Sequence, residues 1–327
     1  MAENPLSILN QYGVAITPDE QYLYIVNNQY YGITPYDSVY LYNLLDEQII
    51  AKITHESFKT PSTATISGRR VYITNSNSTT ISVIDIATNQ VVKVIDGFNN
   101  PYRIVLSLDN KTGFVCNYGD GTSLGTISVV NLETFAINKN IQVGVGPCNC
   151  ALSGDGKKLC VSNYNSKFIS IIDTTSLNVV RTVPLSADVG KPFNINIDTN
   201  QKCYVMSFSL SMGYISIIDL LTNTLFSPYA SIVGTIYGIV FPSNGSLKQL
   251  YVLTYNKNTS LPFIDINQGV PELILIQYKD DYEIEYYSST IKICPAVGNA
   301  ILTYDKKFLY ISNYGLKFRN INNLVDL

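Results

Sequence analysis

"VYITNSNSTTISVIDIATNQVV", residues 71–92, joins an unbroken apolar run, an Asn/Ser/Thr patch, an alternating apolar run and an "ATNQ" turn. Its first half returns along the chain. An apolar run ending in Asn is found as "LYIVNN" (23–28), "VYITNS" (71–76), "GFVCNY" (113–118), "LCVSNY" (159–164) and "LYISNY" (309–314). Weaker copies are "CYVMSF" (203–208) and "LYVLTY" (250–255). The equivalent polar position falls at Asn27, Asn75, Asn117, Asn163, Ser207, Thr254 and Asn313, with spacings of 48, 42, 46, 44, 47 and 59 residues.

A self-similar period of about 40–50 residues belongs to repeat architectures of the β-propeller kind rather than to separate domains. Each copy has a strand before it that ends in a polar turn: "GVAITPDE" (13–20), "RIVLSLDN" (103–110), "CALSGDGK" (150–157), "NINIDTN" (194–200) and "AILTYDK" (300–306). Asp, Asn and Gly suit such turns because they tolerate left-handed or self-bonded geometry. An alternating strand follows each copy, as in "SVYLYN" (38–43), "ISVIDI" (81–86), "TISVVNL" (126–132), "FISIIDT" (168–174) and "YISIIDL" (214–220). A short outer strand such as "VVKVI" (91–95) or "VVRTV" (179–183) completes the unit. The reading is four antiparallel strands per repeat, with no helical period. The second strand is apolar on both faces because neighbouring blades pack on both sides of it.

The expected fold is therefore all-β: one domain over 1–327, a seven-bladed propeller with approximate blades 11–57, 58–98, 99–144, 145–190, 191–234, 235–294 and 295–327. The last blade reads as three strands, and "PLSILN" (5–10), directly ahead of the first inner strand, supplies its fourth. A strand borrowed from the other terminus closes the ring and removes the open edge. The sixth blade is irregular, with "NKNTSLPFIDINQGVP" (256–271) read either as an insertion before the third strand or as containing that strand.

Composition narrows the function classes. Apolar residues make up 46% of the 327 and charged ones 14%, with 25 Tyr and no Trp. That is a core-rich, β-favouring chain with a sparsely charged surface. Net charge is −3 and no basic run is present, so nothing marks nucleic-acid binding. No apolar stretch approaches the ~20 residues of a membrane span. "MAENPLSILNQYGV" has neither the basic nor the apolar region of a signal peptide, so a cytoplasmic or virion-associated protein is expected unless a leader was removed.

"VYITN…ISVIDIATNQVV" and "VSNYNSKFISIIDTTSLNVV" resemble the YVTN family of propeller repeats, strongly over the first four copies and weakly over the rest. The resemblance implies a seven-bladed fold. It also implies kinship with surface-layer, periplasmic and virion-associated binding proteins, some relatives being lactonase-like or electron-transfer enzymes. Fold alone does not carry function.

Chemistry is sparse. The single histidine, His55 in "KITHES", reads as part of the outer strand of blade 1, away from the axis, so neither a zinc cluster nor a triad is expected. Cys148 and Cys150 lie two apart in "GPCNCAL" and so are read as pointing to one face, either as a redox pair or as buried thiols lining the channel. Cys116 and Cys160 read as core. Asp85, Asp173 and Asp219 recur before the last turn of a repeat and read as turn caps rather than metal ligands. Asp37 and Asp120 lie near the open face, but "GDG" (119–121) lacks the remaining spacing of a calcium loop. No catalytic set, metal or cofactor is expected.

Loops between blades and loops between second and third strands share one face in this topology. The residue after each repeated Asn is therefore presented around one rim: Asn28, Ser76, Tyr118, Tyr164, Phe208, Tyr255 and Tyr314. Blade-linking segments add Tyr12, Tyr102 and Tyr237, and the blade 1 loop "NNQYYGITPY" adds Tyr30, Tyr31 and Tyr36. Either these aromatics pack across seams, or they form a platform for a protein or glycan partner, since Tyr offers contact area and a polar tip at little entropy cost. The expected function is a non-enzymatic binding or scaffold propeller. The alternatives are a lactonase-like hydrolase in the central funnel and a structural component of a cell or particle surface.

Overall fold

The computed structural model describes the backbone over 11–27, 37–46, 48–209, 212–233, 235–240, 249–256, 270–279, 283–292, 297–302, 308–313 and 319–320, and side chains over 13–27, 37–46, 48–209 and 212–227. The described chain is all β, with one 3-10 turn at Ala187–Val189. Sheet one contains β1 (Gln11–Ile16), β2 (Tyr22–Asn27), β3 (Ser38–Asn43) and β4 (Gln48–Ile53). Sheet two contains β5 (Pro61–Ser67), β6 (Arg70–Asn75), β7 (Ile81–Asp85) and β8 (Gln90–Ile95). Sheet three contains β9 (Pro101–Leu106), β10 (Thr112–Asn117), β11 (Leu124–Asn131) and β12 (Ile137–Val145). Sheet four contains β13 (Pro147–Leu152), β14 (Lys158–Asn163), β15 (Phe168–Asp173) and β16 (Asn178–Pro184). Sheet five contains β17 (Lys191–Ile197), β18 (Lys202–Ser209), β19 (Met212–Asp219) and β20 (Leu225–Val233). Beyond these, β21 (Thr235–Val240), β22 (Gln249–Asn256), β23 (Val270–Lys279) and β24 (Glu283–Lys292) pair in order, as do β25 (Val297–Leu302), β26 (Phe308–Asn313) and β27 (Arg319–Asn320). All pairings are antiparallel between chain neighbours, so the four-stranded repeat read from the sequence is present. Among the described residues no helix is long and apolar enough to cross a membrane.

Burial explains the strand patterns. Each second strand feeds two seams because its side chains alternate between faces. Val71 and Ile73 of β6 join Tyr24, Val26 and Leu41 of sheet one in one cluster. Their neighbour Tyr72 joins Ile104 and Val115 of sheet three in another. Likewise Leu159 and Val161 of β14 pack with Phe114 and Ile127, while Cys160 packs with Ile195 and Val205. Outer strands alternate exposed and half-buried positions and are bulged. Ile50, Val92 and Val180 are the extra residues at those bulges and point to solvent. A bulged edge twists away from foreign strands, which blunts edge-to-edge pairing.

The repeated Asn has a mechanical role. Its amide reaches the buried serine of the third strand: Asn75 Nδ2 donates to Ser82 Oγ (2.9 Å), Asn117 to Ser128 (2.7 Å) and Asn163 to Ser170 (2.9 Å). The "N" of "YITN" and the "S" of "ISV" are thus two ends of one buried bond. In repeat five Ser207 replaces the Asn. Its hydroxyl is buried without a partner, and Ser216 bonds Ser227 instead (2.9 Å).

The recurrent aspartates are turn caps. Oδ1 of Asp85 accepts the N–H groups of Ala87 and Thr88, that of Asp173 those of Thr175 and Ser176, and that of Asp219 those of Leu221 and Thr222. These backbone donors hold the Asp173 and Asp219 carboxyls below the usual range. Such groups stabilise the fold above the ordinary carboxylate pKa, and that contribution is lost as pH falls through their depressed values.

Asp198 behaves oppositely. It is buried, accepts the N–H groups of Asn200 and Lys202 (2.8 Å each), and burial pushes its carboxyl up. A raised group stabilises fully below its unfolded pKa and loses that contribution as pH rises through its folded one. Asp198→Asn, neutral at every pH, is therefore expected to be more stable than the parent at pH 7, with the gain vanishing towards pH 4. Urea midpoints across that range check this, and a gain that persists unchanged at pH 4 would contradict it.

Candidate functional site

The rim is built by a repeated stitch between two sets of loops. The residue after each rim Asn donates its N–H to the carbonyl of the residue preceding the inner strand of its own sheet. Ser76 bonds Thr60 (3.0 Å), Tyr118 bonds Asn100 (3.0 Å) and Tyr164 bonds Gly146 (2.9 Å). Residues from second-to-third-strand loops and from linkers are thereby fixed side by side. In sheet five the same relation appears as strand pairing of Phe208 with Lys191.

A β-bulge aims a second set of side chains. In every inner strand the ladder slips by one residue at the same place, between Gln11 and Gly13, Pro61 and Thr63, Pro101 and Arg103, Pro147 and Asn149, Pro192 and Asn194, Ile236 and Gly238, and Val297 and Asn299. A proline at the strand start has no N–H to contribute to the ladder, which suits this position. The extra residue is Tyr102 in sheet three and Phe193 in sheet five, and bulges re-aim such side chains.

Together these devices connect one group across sheets three to five. The Tyr102 and Tyr118 rings lie 6.0 Å apart, as do those of Tyr164 and Phe208, and Phe193 meets Phe208 edge-on at 5.5 Å. Asn165 joins the two halves: its Nδ2 donates to the Tyr118 hydroxyl (3.2 Å) and the Gly121 carbonyl (2.9 Å), and its Oδ1 accepts from Lys191 Nζ (2.9 Å). The same ammonium sits 4.6 Å from the Tyr164 ring centroid, a cation–π contact. Tyr102 is exposed, and Tyr118, Tyr164, Phe193 and Phe208 are half-buried. Burial raises the Tyr164 phenol above its ordinary value, so it stays a neutral donor and acceptor. Phe193, Lys191 and Asn165 were not singled out by the sequence reading. The signal for Phe193 was available, because "KPF" (191–193) repeats the Pro-aromatic pair of "NPY" (100–102).

The remaining rim residues expected from sequence lie outside the described set. These are Asn28, Tyr30, Tyr31, Tyr36 and Tyr314, and the side chains of Tyr12, Tyr237 and Tyr255.

Two expectations change. Cys148 and Cys150 point to opposite seams rather than to one face. The Cys148 thiol lies against the Phe193 carbonyl of sheet five (3.3 Å), whereas Cys150 packs with Phe114 and Cys116 of sheet three. The bulge between Pro147 and Asn149 adds one residue and inverts the alternation. Both thiols are buried in seams and unbridged, and burial pushes Cys148 up to about 12. His55 is not on an outer strand. β4 ends at Ile53, and His55 lies in the linker that forms the rim between sheets one and two. Asp120 accepts the Thr122 and Ser123 N–H groups (2.7 Å each), which hold its carboxyl well below the usual range. That oxygen is spent on its own turn. Among the described residues no group of three or more His, Cys, Asp or Glu is placed to hold a metal.

No family model and no curated protein matches this chain. Among solved structures it is similar to hydrazine synthase of Kuenenia stuttgartiensis, a β-propeller-containing protein, with a TM-score of 0.69 at 17% identity, covering 84% of this chain and 80% of that one. At that identity the likeness speaks to fold alone. With the repeated antiparallel sheets, it places this chain among β-propeller-like architectures.

Proposed function

We propose that the chain is a single seven-bladed propeller of YVTN type that binds a protein or glycan partner, without catalysis, through its aromatic rim. Seven sequence copies support the blade count. Closure is supported by sheet one, whose face carrying Leu23 and Ile25 is buried although sheet two covers only the other side. β25 lies against both β1 and β21, as the last inner strand of a ring would. Residues 5–10 complete the last blade on this reading. They lie outside the described residues, and the assignment rests on their position just before β1.

The observation that carries the binding role is the continuous group from Tyr102 to Phe193. Half-exposed rings on rigid strand ends, with an amide and an ammonium between them, offer apolar faces and polar tips held in place before a partner arrives. The test is a glycan array run beside affinity capture on the purified chain. Saturable binding of a defined glycan or protein is the expected result. Uniformly blank arrays and captures, with regular self-association instead, would replace this reading with a structural component.

A further inference from the structure

The seam between sheets one and two opens at the rim into a cavity of about 360 Å³, lined by Asp37, Thr54, His55, Glu56, Phe58 and Lys59. Its polar groups are positioned from behind. The Ser57 N–H donates to His55 Nδ1 (3.1 Å), and Ser57 Oγ lies 2.7 Å from the same nitrogen. Ser57 Oγ is in turn 2.7 Å from Ser82 Oγ, which accepts from Asn75 Nδ2 (2.9 Å). Ser82 and Asn75 are fully buried, so the relay is anchored in the core. Because Nδ1 accepts the Ser57 N–H, Nε2 is the ring nitrogen left to donate.

Asp37 is fixed too. Its Oδ2 accepts the Thr60 N–H (2.7 Å), and Thr60 holds a φ of 49°, a region β-branched residues rarely adopt. Strain of this kind collects where a loop is held for a purpose. Phe58 is buried and meets the imidazole edge-on at 6.2 Å, which adds an apolar wall. Glu56 and Lys59 are exposed.

Donors and acceptors are mixed, and neither sign of charge dominates. An anion would meet Asp37 and Glu56, and a cation would meet Lys59. A neutral polyhydroxylated ring satisfies both kinds of group at once, since each hydroxyl donates and accepts and the C–H face suits an aromatic wall. We infer that this cavity is a subsite for one pyranose sugar residue, with Asp37 and His55 as its fixed hydrogen-bonding pair. The inference rests on the glycan arm of the rim reading.

The test is saturation-transfer NMR on the full chain with glucose, galactose, mannose and N-acetylglucosamine, and with glycine and acetate as charged probes. One or more sugars should receive saturation. Asp37→Asn, which keeps an oxygen for the Thr60 N–H, and His55→Phe should each weaken that binding about tenfold, the loss expected when one buried polar partner is removed. Lys59→Ala, at an exposed position that cannot unfold the chain, should weaken it several-fold. Val92→Ala, at an exposed outer-strand position, should leave it unchanged. Silence from every sugar, a response from glycine or acetate alone, or equal binding by parent and all three cavity variants would overturn the inference. None of those results touches the rim reading, which fails separately if array binding survives loss of Tyr164.

Discussion

Asn163→Ala is expected to destabilise the chain by about 3–5 kcal/mol, read as a lowered urea midpoint. Asn163 is fully buried. Its Nδ2 donates to Ser170 Oγ (2.9 Å) and to the Phe168 carbonyl (3.1 Å), and its Oδ1 accepts the Gly144 N–H (2.9 Å). Truncation leaves three polar groups without this partner, each at a cost of about 1–3 kcal/mol when water cannot replace it. Serine should rescue little, because Ser207 occupies the same place in repeat five and its hydroxyl finds no partner. A loss below about 1 kcal/mol would mean that the Asn–Ser bond is incidental to the repeat.

Gly190→Ala should be comparably damaging, by at least about 3 kcal/mol, through sterics rather than lost bonds. Gly190 has a φ of 74°, and a Cβ there would stand 2.0 Å from the Phe208 carbonyl oxygen and 2.5 Å from its carbon. Backbone must move, and the backbone concerned carries Phe208 and Lys191 of the rim. Gly68 is the control. Its φ is 55° but a Cβ would meet nothing within 4 Å, so Gly68→Ala should cost only about 1 kcal/mol, the penalty of the left-handed region itself. Equal melting temperatures for the two variants would contradict this account.

The repeat was legible because packing and hydrogen bonding both act at fixed offsets. "VYITN" and "ISVID" recur since an apolar second strand must fill two seams and its Asn must meet a buried Ser. What escaped was decided by one-residue shifts. The bulge at Pro147–Asn149 separates Cys148 from Cys150, and strict alternation cannot foresee it. The end of β4 at Ile53 moves His55 from a strand to a rim linker, where it faces a cavity instead of bulk solvent. The rim positions of Tyr118, Tyr164 and Phe208 followed from counting past the Asn. Their joining through Asn165 and Lys191 did not, because those bonds cross between repeats 26 and 47 residues apart in sequence.

On the proposed function, binding belongs to the rim and not to the motif that repeats along the chain. Its most direct measurement is the dissociation constant of the partner found by array or capture, for the parent, for Tyr164→Ala, and for the outer-strand control Val92→Ala. Tyr164 should behave as a hot spot worth about 2 kcal/mol, about a 30-fold loss of affinity, while Val92→Ala binds as the parent does. Undiminished binding by Tyr164→Ala with an unchanged melting temperature, or a loss confined to Val92→Ala, would contradict it.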